Sequence, residues 1–424
     1  MFVLRAAPKG VVCVLLAVSS IASPAMGQTN SLPTPPPALR AAIQDLWQKS
    51  PRIQAADARL RAAQERAKAA GRPVYTPSVQ LDGENADVDR RTVGASLTLD
   101  VFDKRDARVT ESDAEVRARE AASMLERRDV ALEWLKAWST TALARRQSAL
   151  GRRRVALMRQ FDRLAEQRFN VGDISRPERD LAGLALGEAQ VQQSTLDAQE
   201  LAARSALATL GGNPDGPLPE LPRALPPMAG AVSPVPTIER PERRQAKAEQ
   251  DRADAAVTVA DRNRRPDPTL SLTGGQVRSG PRTDRVIGIS VSIPIPNLAS
   301  GRDQVSAARA DADAAFASLR AAELRSDAVF KQTGMTYEAM RAASAGFRQG
   351  RAGAFDERAD LLDRLWRSGE ISTSDYLVQL KQSLDTALSG IALESQTWQA
   401  WFDFLAASGR LTEWVDGTSK DASP

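Results

Sequence analysis

The sequence has no histidine, and its one cysteine, Cys13, lies close to its start. If that first segment is removed, the rest carries neither imidazole nor thiol. Ser-His-Asp and Cys-His catalysis, zinc sites built on His or Cys, and disulfides are then excluded. Aromatic residues make up only 5% of the chain, a poor supply of stacking surfaces for nucleic acid. After the first segment there is no run of 18 uninterrupted apolar residues, so a transmembrane helix is excluded there. Membrane-spanning strands stay open, because their signal is only alternation. What remains, 26% charged and 42% hydrophobic, is the composition of a folded protein.

The first segment reads as an address. Arg5 and Lys9 supply a positive region, Val11–Val18 an apolar one, and Ala25-Met26-Gly27 a small-residue cleavage site. Residues 1–27 are therefore expected to be a secretory signal peptide, too short to span a bilayer. Cys13 lies inside the apolar region and does not fit a lipoprotein anchor. Losing Arg5 and Lys9 takes the net charge from +4 to +2, so the basic pI marks no basic patch and no nucleic-acid partner is expected.

The rest is an internal repeat. Arg168-Phe-Asn-Val-Gly-Asp-Ile-Ser175 and Leu365-Trp-Arg-Ser-Gly-Glu-Ile-Ser372 share Gly, acid, Ile and Ser in register, 197 positions apart. Arg105-Asp106 aligns with Arg302-Asp303 at the same offset, and Pro77 and Pro51 match Pro268 and Pro241 at nearly the same one. The chain is thus two copies of a unit of about 180 residues. They divide it into repeats at 28–210 and 238–411, a Pro-rich extended linker at 211–237 and a tail at 412–424. Each copy reads as helix, strand, strand, long helix, helix. The long helices are expected over Asp103–Val171 and Gly301–Ser368. The first is roughly 100 Å by helical rise. Opening helices are expected over Ala41–Gly71 and Ile238–Arg264, closing ones over Ser175–Leu210 and Ser372–Ser408. Opening and closing helices laid end to end match the long one, giving a rod. Helices so far above the usual 11–12 residues belong to a tube wall or fibre.

Gly172 and Gly369 are placed to stop the long helices with positive φ. Ser175-Arg-Pro-Glu178 and Ser372-Thr-Ser-Asp375 then fit the capping pattern of a new helix. Each copy thus holds a tight helical hairpin with Ile174 or Ile371 expected exposed at its tip. Capping is the bland role for Glu178 and Asp375. In the strands, Val93, Ala95, Leu97, Leu99 and Val101 alternate with Thr, Gly, Ser, Thr and Asp. Ile287, Ile289, Val291, Ile293 and Ile295 alternate with Gly, Ser, Ser and Pro. That is the alternation of an outer-membrane strand. Asp87–Arg91 and Gln276–Arg285 are expected to be extracellular loops. Four strands cannot close a barrel, and open edges are not tolerated in lipid, so the strands would have to pool across subunits.

The duplicated unit, the two tip segments and Ser292–Ala310 (SIPIPNLASGRDQVSAARA) together resemble the TolC-type outer membrane efflux proteins, and the last segment resembles their heavy-metal and multidrug branch. The resemblance covers about Leu39–Leu411. It implies a mainly α protein with a transmembrane β-barrel: a homotrimer whose 12 strands close one barrel and whose helices form a periplasmic tunnel. It implies an exit duct with no catalytic site and no cofactor, in the outer membrane of a Gram-negative bacterium. Its partners would be outer membrane lipid, a periplasmic adaptor and an inner-membrane pump. Carried onto this chain, the adaptor contacts are Val171, Gly172, Asp173, Ile174 and Ser175 with Ser368, Gly369, Glu370, Ile371 and Ser372. The tunnel-aperture candidates are Glu178, Trp366 and Asp375; a second acid expected three positions after Asp375 is replaced by Val378. The implied cargo is heavy-metal cations, with drugs or type I secretion substrates as the alternative. A periplasmic coiled-coil adaptor or scaffold is a rival reading, weakened by the two copies and four strands. No carboxylates cluster into an acid/base pair, so an enzyme is not expected.

Overall fold

The computed structural model describes residues 34–85, 88–232, 234–295, 301–350 and 355–417. The expected signal peptide lies outside them. The first copy runs α1 (Pro37–Lys49), α2 (Pro51–Ala70), β1 (Ser78–Glu84), β2 (Val88–Thr98), α3 (Lys104–Asn170) and α4 (Arg176–Thr209). The second runs α5 (Pro241–Asn263), β3 (Thr269–Ser279), β4 (Arg282–Ser292), α6 (Arg302–Gln349), α7 (Phe355–Arg367) and α8 (Thr373–Ala407), and a short α9 (Leu411–Asp416) comes last. Two expected helices are divided. The opening one breaks at Ser50, which is extended, because Pro51 lacks the N–H to continue a helix and suits its first turn instead. The second long helix stops at Gly350. The segment from 346 to 353 holds Gly346, Gly350 and Gly353, each costing about 1 kcal/mol of helix propensity against alanine.

The helices pack as a coiled coil. On α8, Thr373, Leu380, Ala387, Glu394 and Trp401 are buried at seven-residue spacing, and so are Tyr376, Ser383, Thr397 and Phe404, with half-buried Gly390 completing that second series. On α4, Ala182, Ala189, Leu196 and Ala203 keep the same spacing. A strict seven-residue repeat makes straight helices supercoil left-handed. Near the sheet the α3 seam is alanine, at positions 107, 114, 118 and 121. Small side chains let helices approach closely there.

Large side chains gather at two levels. At mid-height, Trp134, Trp138, Tyr337, Trp401 and Phe402 pack with Leu39 and Ile43 of α1 and Trp414 of α9. Residues 211–232 cross this level as a belt, with Leu218, Leu221 and Val232 packed on the core. Proline withholds N–H groups but leaves carbonyls, and these are satisfied by side chains. Pro219 accepts from Trp138 at 3.0 Å, Pro226 from Arg341 at 2.8 Å, and Pro227 from Tyr337. The linker is therefore extended but pinned to the body. The second level lies at the hairpin tips, where Phe161, Trp366 and Tyr376 form a lower core.

The strands form one antiparallel sheet in the order β1-β2-β3-β4. The pairing of β2 with β3, over Val88↔Ser279 to Thr98↔Thr269, joins the two copies. The expected loops are shorter than the sequence suggested. Val88–Arg91 and Gln276–Ser279 are paired strand, as is Arg282–Arg285, because polar side chains at a strand end do not prevent backbone pairing.

Candidate functional site

Two parts of the chain carry features a folded core does not need: the tips and the sheet. At the first tip, Gly172 has φ +80° and its N–H donates to Phe169 O at 2.9 Å, while Asp173 N donates to Arg168 O at 2.8 Å. At the second, Gly369 has φ +79°, with Gly369 N to Trp366 O at 3.1 Å and Glu370 N to Leu365 O at 2.9 Å. Both are Schellman stops, which need a left-handed residue after the last turn. Two residues beyond each acid a new helix is capped. The Glu178 carboxylate accepts from the Ser175 N–H at 2.9 Å and from its hydroxyl at 2.8 Å. These bonds, the backbone one foremost, hold the Glu178 carboxyl below its ordinary pKa. In the second tip, Ser372 Oγ accepts from Asp375 N at 3.0 Å and donates to the Asp375 carboxylate at 2.7 Å. Glu178 therefore closes a capping box, whereas at the second tip the Ser372 hydroxyl is the cap and Asp375 only accepts from it. Glu178 is half-exposed and Asp375 exposed.

The tips lie side by side. Arg168 lies 3.5 Å from Asp173 of its own tip, donates to Arg367 O at 3.2 Å, and sets its guanidinium 4.6 Å from the centre of the Trp366 ring. One side chain thus ties the two hairpins. No sequence pattern signals this tie, since the two ends of the contact are almost 200 positions apart. Val171 is 80% exposed, and Gly172, Asp173, Ser175, Ser368, Gly369, Glu370 and Ser372 are exposed with it. Ile174 and Ile371 depart from expectation: both are half-buried and pack on the lower core. Each hairpin bends back on itself within a few residues, which folds the isoleucine against its own helices.

Trp366 also differs from the expectation. It is 2% exposed, with its ring 4.4 Å from Phe161 and 5.5 Å from Tyr376, and its N–H donates to Thr373 Oγ1 at 3.3 Å. It lines no free surface of the chain; it is the centre of the lower core. Burial there also raises the Tyr376 pKa, to about 12. Val378, by contrast, is 65% exposed.

In the sheet, register brings like side chains to one face. Val79, Ala95, Leu272 and Ile289 form one row across four strands, and Leu81, Val93, Gly274 and Ile287 the next. This face is open: Leu81 is 77% exposed, Ile287 85% and Ile289 74%. The opposite face carries Ser78, Ser96, Ser271 and Ser290 in one row. It is the more crowded one. A Cβ on Gly94 would come 2.9 Å from the Thr273 methyl, and one on Gly275 would collide with Arg91 O. Glycine at such places lets the sheet curl with its polar face inside. Gly94, Gly275 and Gly288 all fall on this face, and their spacing is visible in the sequence. No described helix is long and apolar enough to cross a membrane.

A polar junction, also missed in the sequence, holds sheet to helices. Lys104 Nζ lies 3.0 Å from Asp267, whose other contacts are Tyr75 Oη at 2.8 Å and the Val101 N–H at 3.3 Å. The Lys104 and Asp267 side chains are 8% and 1% exposed. Burial alone would lower the Lys104 pKa, but the hydrogen bond to Asp267 and the neighbouring Tyr75 leave it raised. Asp100 caps α3 by accepting from the N–H groups of Lys104 and Arg105 at 2.9 and 2.8 Å. Among the described residues no group of three or more carboxylates is gathered to hold a metal.

Residues 42–213 match the family model described as outer membrane efflux protein. No curated protein matches the chain. Among solved structures, the outer membrane protein VceC from Vibrio cholerae is similar over 88% of this chain and 96% of its own, at 18% identity and a TM-score of 0.69. The CmeC outer membrane channel of Campylobacter jejuni is similar over 91% and 90%, at 14% identity and 0.71. The MtrE outer membrane channel of Neisseria gonorrhoeae, in its open state, is similar over 88% and 89%, at 17% identity and 0.66. The first copy thus carries the family's own sequence pattern, and the likeness in fold runs through both copies. Residues 42–213 thus resemble the outer membrane efflux protein family in sequence, and the chain has the fold of a TolC-type channel.

Proposed function

We propose that three copies of this chain join their sheets edge to edge into a 12-stranded barrel in the outer membrane, with the helices continuing below it as a periplasmic tunnel. The assembly is the exit duct of a tripartite efflux system. One observation carries the reading: a four-stranded sheet whose apolar face is bare, with Leu81, Ile287 and Ile289 largely exposed. In water such a face is a liability, while in lipid it is the outer wall of a barrel. Its two open edges, β1 and β4, cannot stay unpaired in hydrocarbon, so copies must complete one another. The rival reading as a periplasmic adaptor leaves this face without a purpose.

The paired tips, with Val171, Asp173, Glu370 and the flanking serines exposed, offer the surface for a periplasmic adaptor, and an inner-membrane pump supplies the energy. Glu178 and Asp375 are the acids available to a tunnel aperture, and the buried Trp366 packs against Thr373 and Tyr376 at the start of the helix that carries Asp375. Heavy-metal cations are the favoured cargo, on the likeness of Ser292–Ala310 to that branch of the family. The duct need not ligate them, because the pump selects.

Leu97→Arg or Val291→Arg should prevent recovery of a heat-labile trimer from the outer membrane fraction, since charge facing lipid at mid-depth costs about 2–4 kcal/mol. Ser290→Arg, on the polar face, should be mild. Equal damage from both faces, or a wild-type chain that never reaches the membrane, would overturn the barrel. Growth of a deletion strain on metal salts and on drugs then distinguishes the cargo.

A further inference from the structure

The apolar rows of the sheet end abruptly and give way to cationic side chains. Two residues beyond Val93 on the same face is Arg91, and two beyond Ile287 is Arg285. Both pair with Gln276 of β3, which puts them two strands apart, roughly 10 Å at the usual strand spacing. Arg278 comes one step further along β3 on the same face, opposite Asp89 and Thr283. The polar face at this height is different: Asp82, Glu84 and Asp284 lie there with Arg90 and Arg282. The sheet thus sorts its charge, with three arginines and one acid on the apolar side and three acids and two arginines on the other. Mere solvation of a strand end would not require sorting by face. Arg91 is paired to Asp89 at 3.5 Å yet stays 81% exposed, and Arg278 and Arg285 are exposed.

We propose that Arg91, Arg278 and Arg285 form a binding site for the phosphate groups of a phosphorylated glycolipid in the outer leaflet, whose acyl chains lie against the apolar rows below. The proposal rests on the reading of this face as the lipid-facing wall of a barrel. Three features recommend that occupant. The arginines continue the apolar face without a gap, as headgroups continue acyl chains. They are guanidinium groups, whose fork suits phosphate oxygens. Their long stems can lie along the last apolar row while the charge reaches the headgroup level. Free inorganic phosphate would have no use for the apolar rows.

The test uses the full-length protein purified in detergent and put into lipid nanodiscs. Binding of diphosphorylated lipid A, of dephosphorylated lipid A and of inorganic phosphate is measured by native mass spectrometry and by titration. The wild type should prefer the diphosphorylated form. Arg278→Gln with Arg285→Gln and Arg91→Gln should weaken that binding by roughly a hundred-fold, about five-fold for each arginine near an anionic surface. Arg90→Gln with Arg282→Gln, on the other face, should leave it unchanged, and Asp89→Asn should tighten it. A triple variant that binds as the wild type does, equal binding of dephosphorylated lipid, or inorganic phosphate competing at equal concentration would overturn the proposal while leaving the channel intact. A wild-type chain that does not enter nanodiscs or form a heat-labile oligomer would overturn the channel reading itself, and the lipid site with it.

Discussion

Copy one reaches its tip on a single helix of 67 residues, whereas copy two reaches its tip on a helix of 48 residues followed by a second of 13. The two tips are nevertheless built alike, with a Schellman glycine, an acid and a serine cap in the same order. A helix end is decided by the few residues that supply its last carbonyls and its next N–H groups, so similar octapeptides give near-identical tips. A shaft is decided by many weak preferences, and three glycines tip the balance in copy two. Below the break, α7 relies on packing: Phe355, Ala359, Leu362 and Trp366 point into the lower core.

The largest expected effect tests that reliance. Trp366→Ala removes the centre of the lower core and should cost about 3–5 kcal/mol. Hydrogen exchange should rise first in α7 and the start of α8, and less in α3, which is held by its own length. Equal loss of protection in both hairpins would mean that the continuity of α3 contributes nothing.

Next come two glycines at similar height with opposite roles. Gly151 is packed: an added Cβ would collide with Gln193 Oε1 and come 2.7 Å from Leu196 Cδ1. Gln193 cannot easily yield, because its amide donates to Ser148 at 3.2 Å and Asp197 at 2.7 Å. Gly151→Ala should therefore destabilise by about 1–3 kcal/mol, as overpacking does. Gly346 has nothing within 4 Å of such a Cβ. Gly346→Ala should stabilise by up to about 1 kcal/mol through propensity. Chemical denaturation of both variants checks the signs, and a shared sign would erase the distinction.

Gly172→Val and Gly369→Val should behave alike, since both residues hold φ near +80°. A left-handed conformation costs an L-residue about 1–2 kcal/mol, and β-branching worsens it. Trimer and barrel should survive, because the tips stand roughly 100 Å from the sheet by helical rise. Cross-linking to the adaptor and efflux should be lost. Normal docking in both variants would remove the tips from the contact surface.

The smallest effect is acid-dependent and separates the two caps. The Glu178 carboxyl titrates below its ordinary value because of the Ser175 bonds. A depressed folded value means stability that is full above the unfolded value and lost as pH falls through the folded one. Local opening of α4 should rise over that acidic range in the wild type and stay flat in Glu178→Gln. Ser175→Ala should cost about 1 kcal/mol in the same region. A Glu178→Gln variant that keeps the acid-dependent opening would assign it elsewhere.

Much of this was legible because it is local. Gly172, Gly369, Ser175 and Ser372 act on residues within a turn, and strand alternation shows in a single segment. Missed features all join distant residues. The segment 211–237 reads as an extended linker because proline forbids helix, and only the structure shows its carbonyls meeting Trp138 and Arg341. Trp366 is an aperture candidate by the family resemblance, and the contact that buries it, with Phe161 of the other copy, shows only in the structure. Lys104 and Asp267 gave no signal as a pair until β3 was set beside β2.

The sequence by itself determined the repeat, the helix stops and caps, the two-faced strands and the absence of imidazole chemistry, because each of the local features depends on side chains a few positions apart and the others can be read by inspection of the chain. Only the tertiary structure decided that β2 pairs with β3 so that the two copies share one sheet. It also decided that the tips are tied through Arg168, and that charge at the strand ends is sorted by face. The first two depend on contacts between segments more than 150 residues apart, where no local pattern reaches, and the third on setting the faces of all four strands side by side.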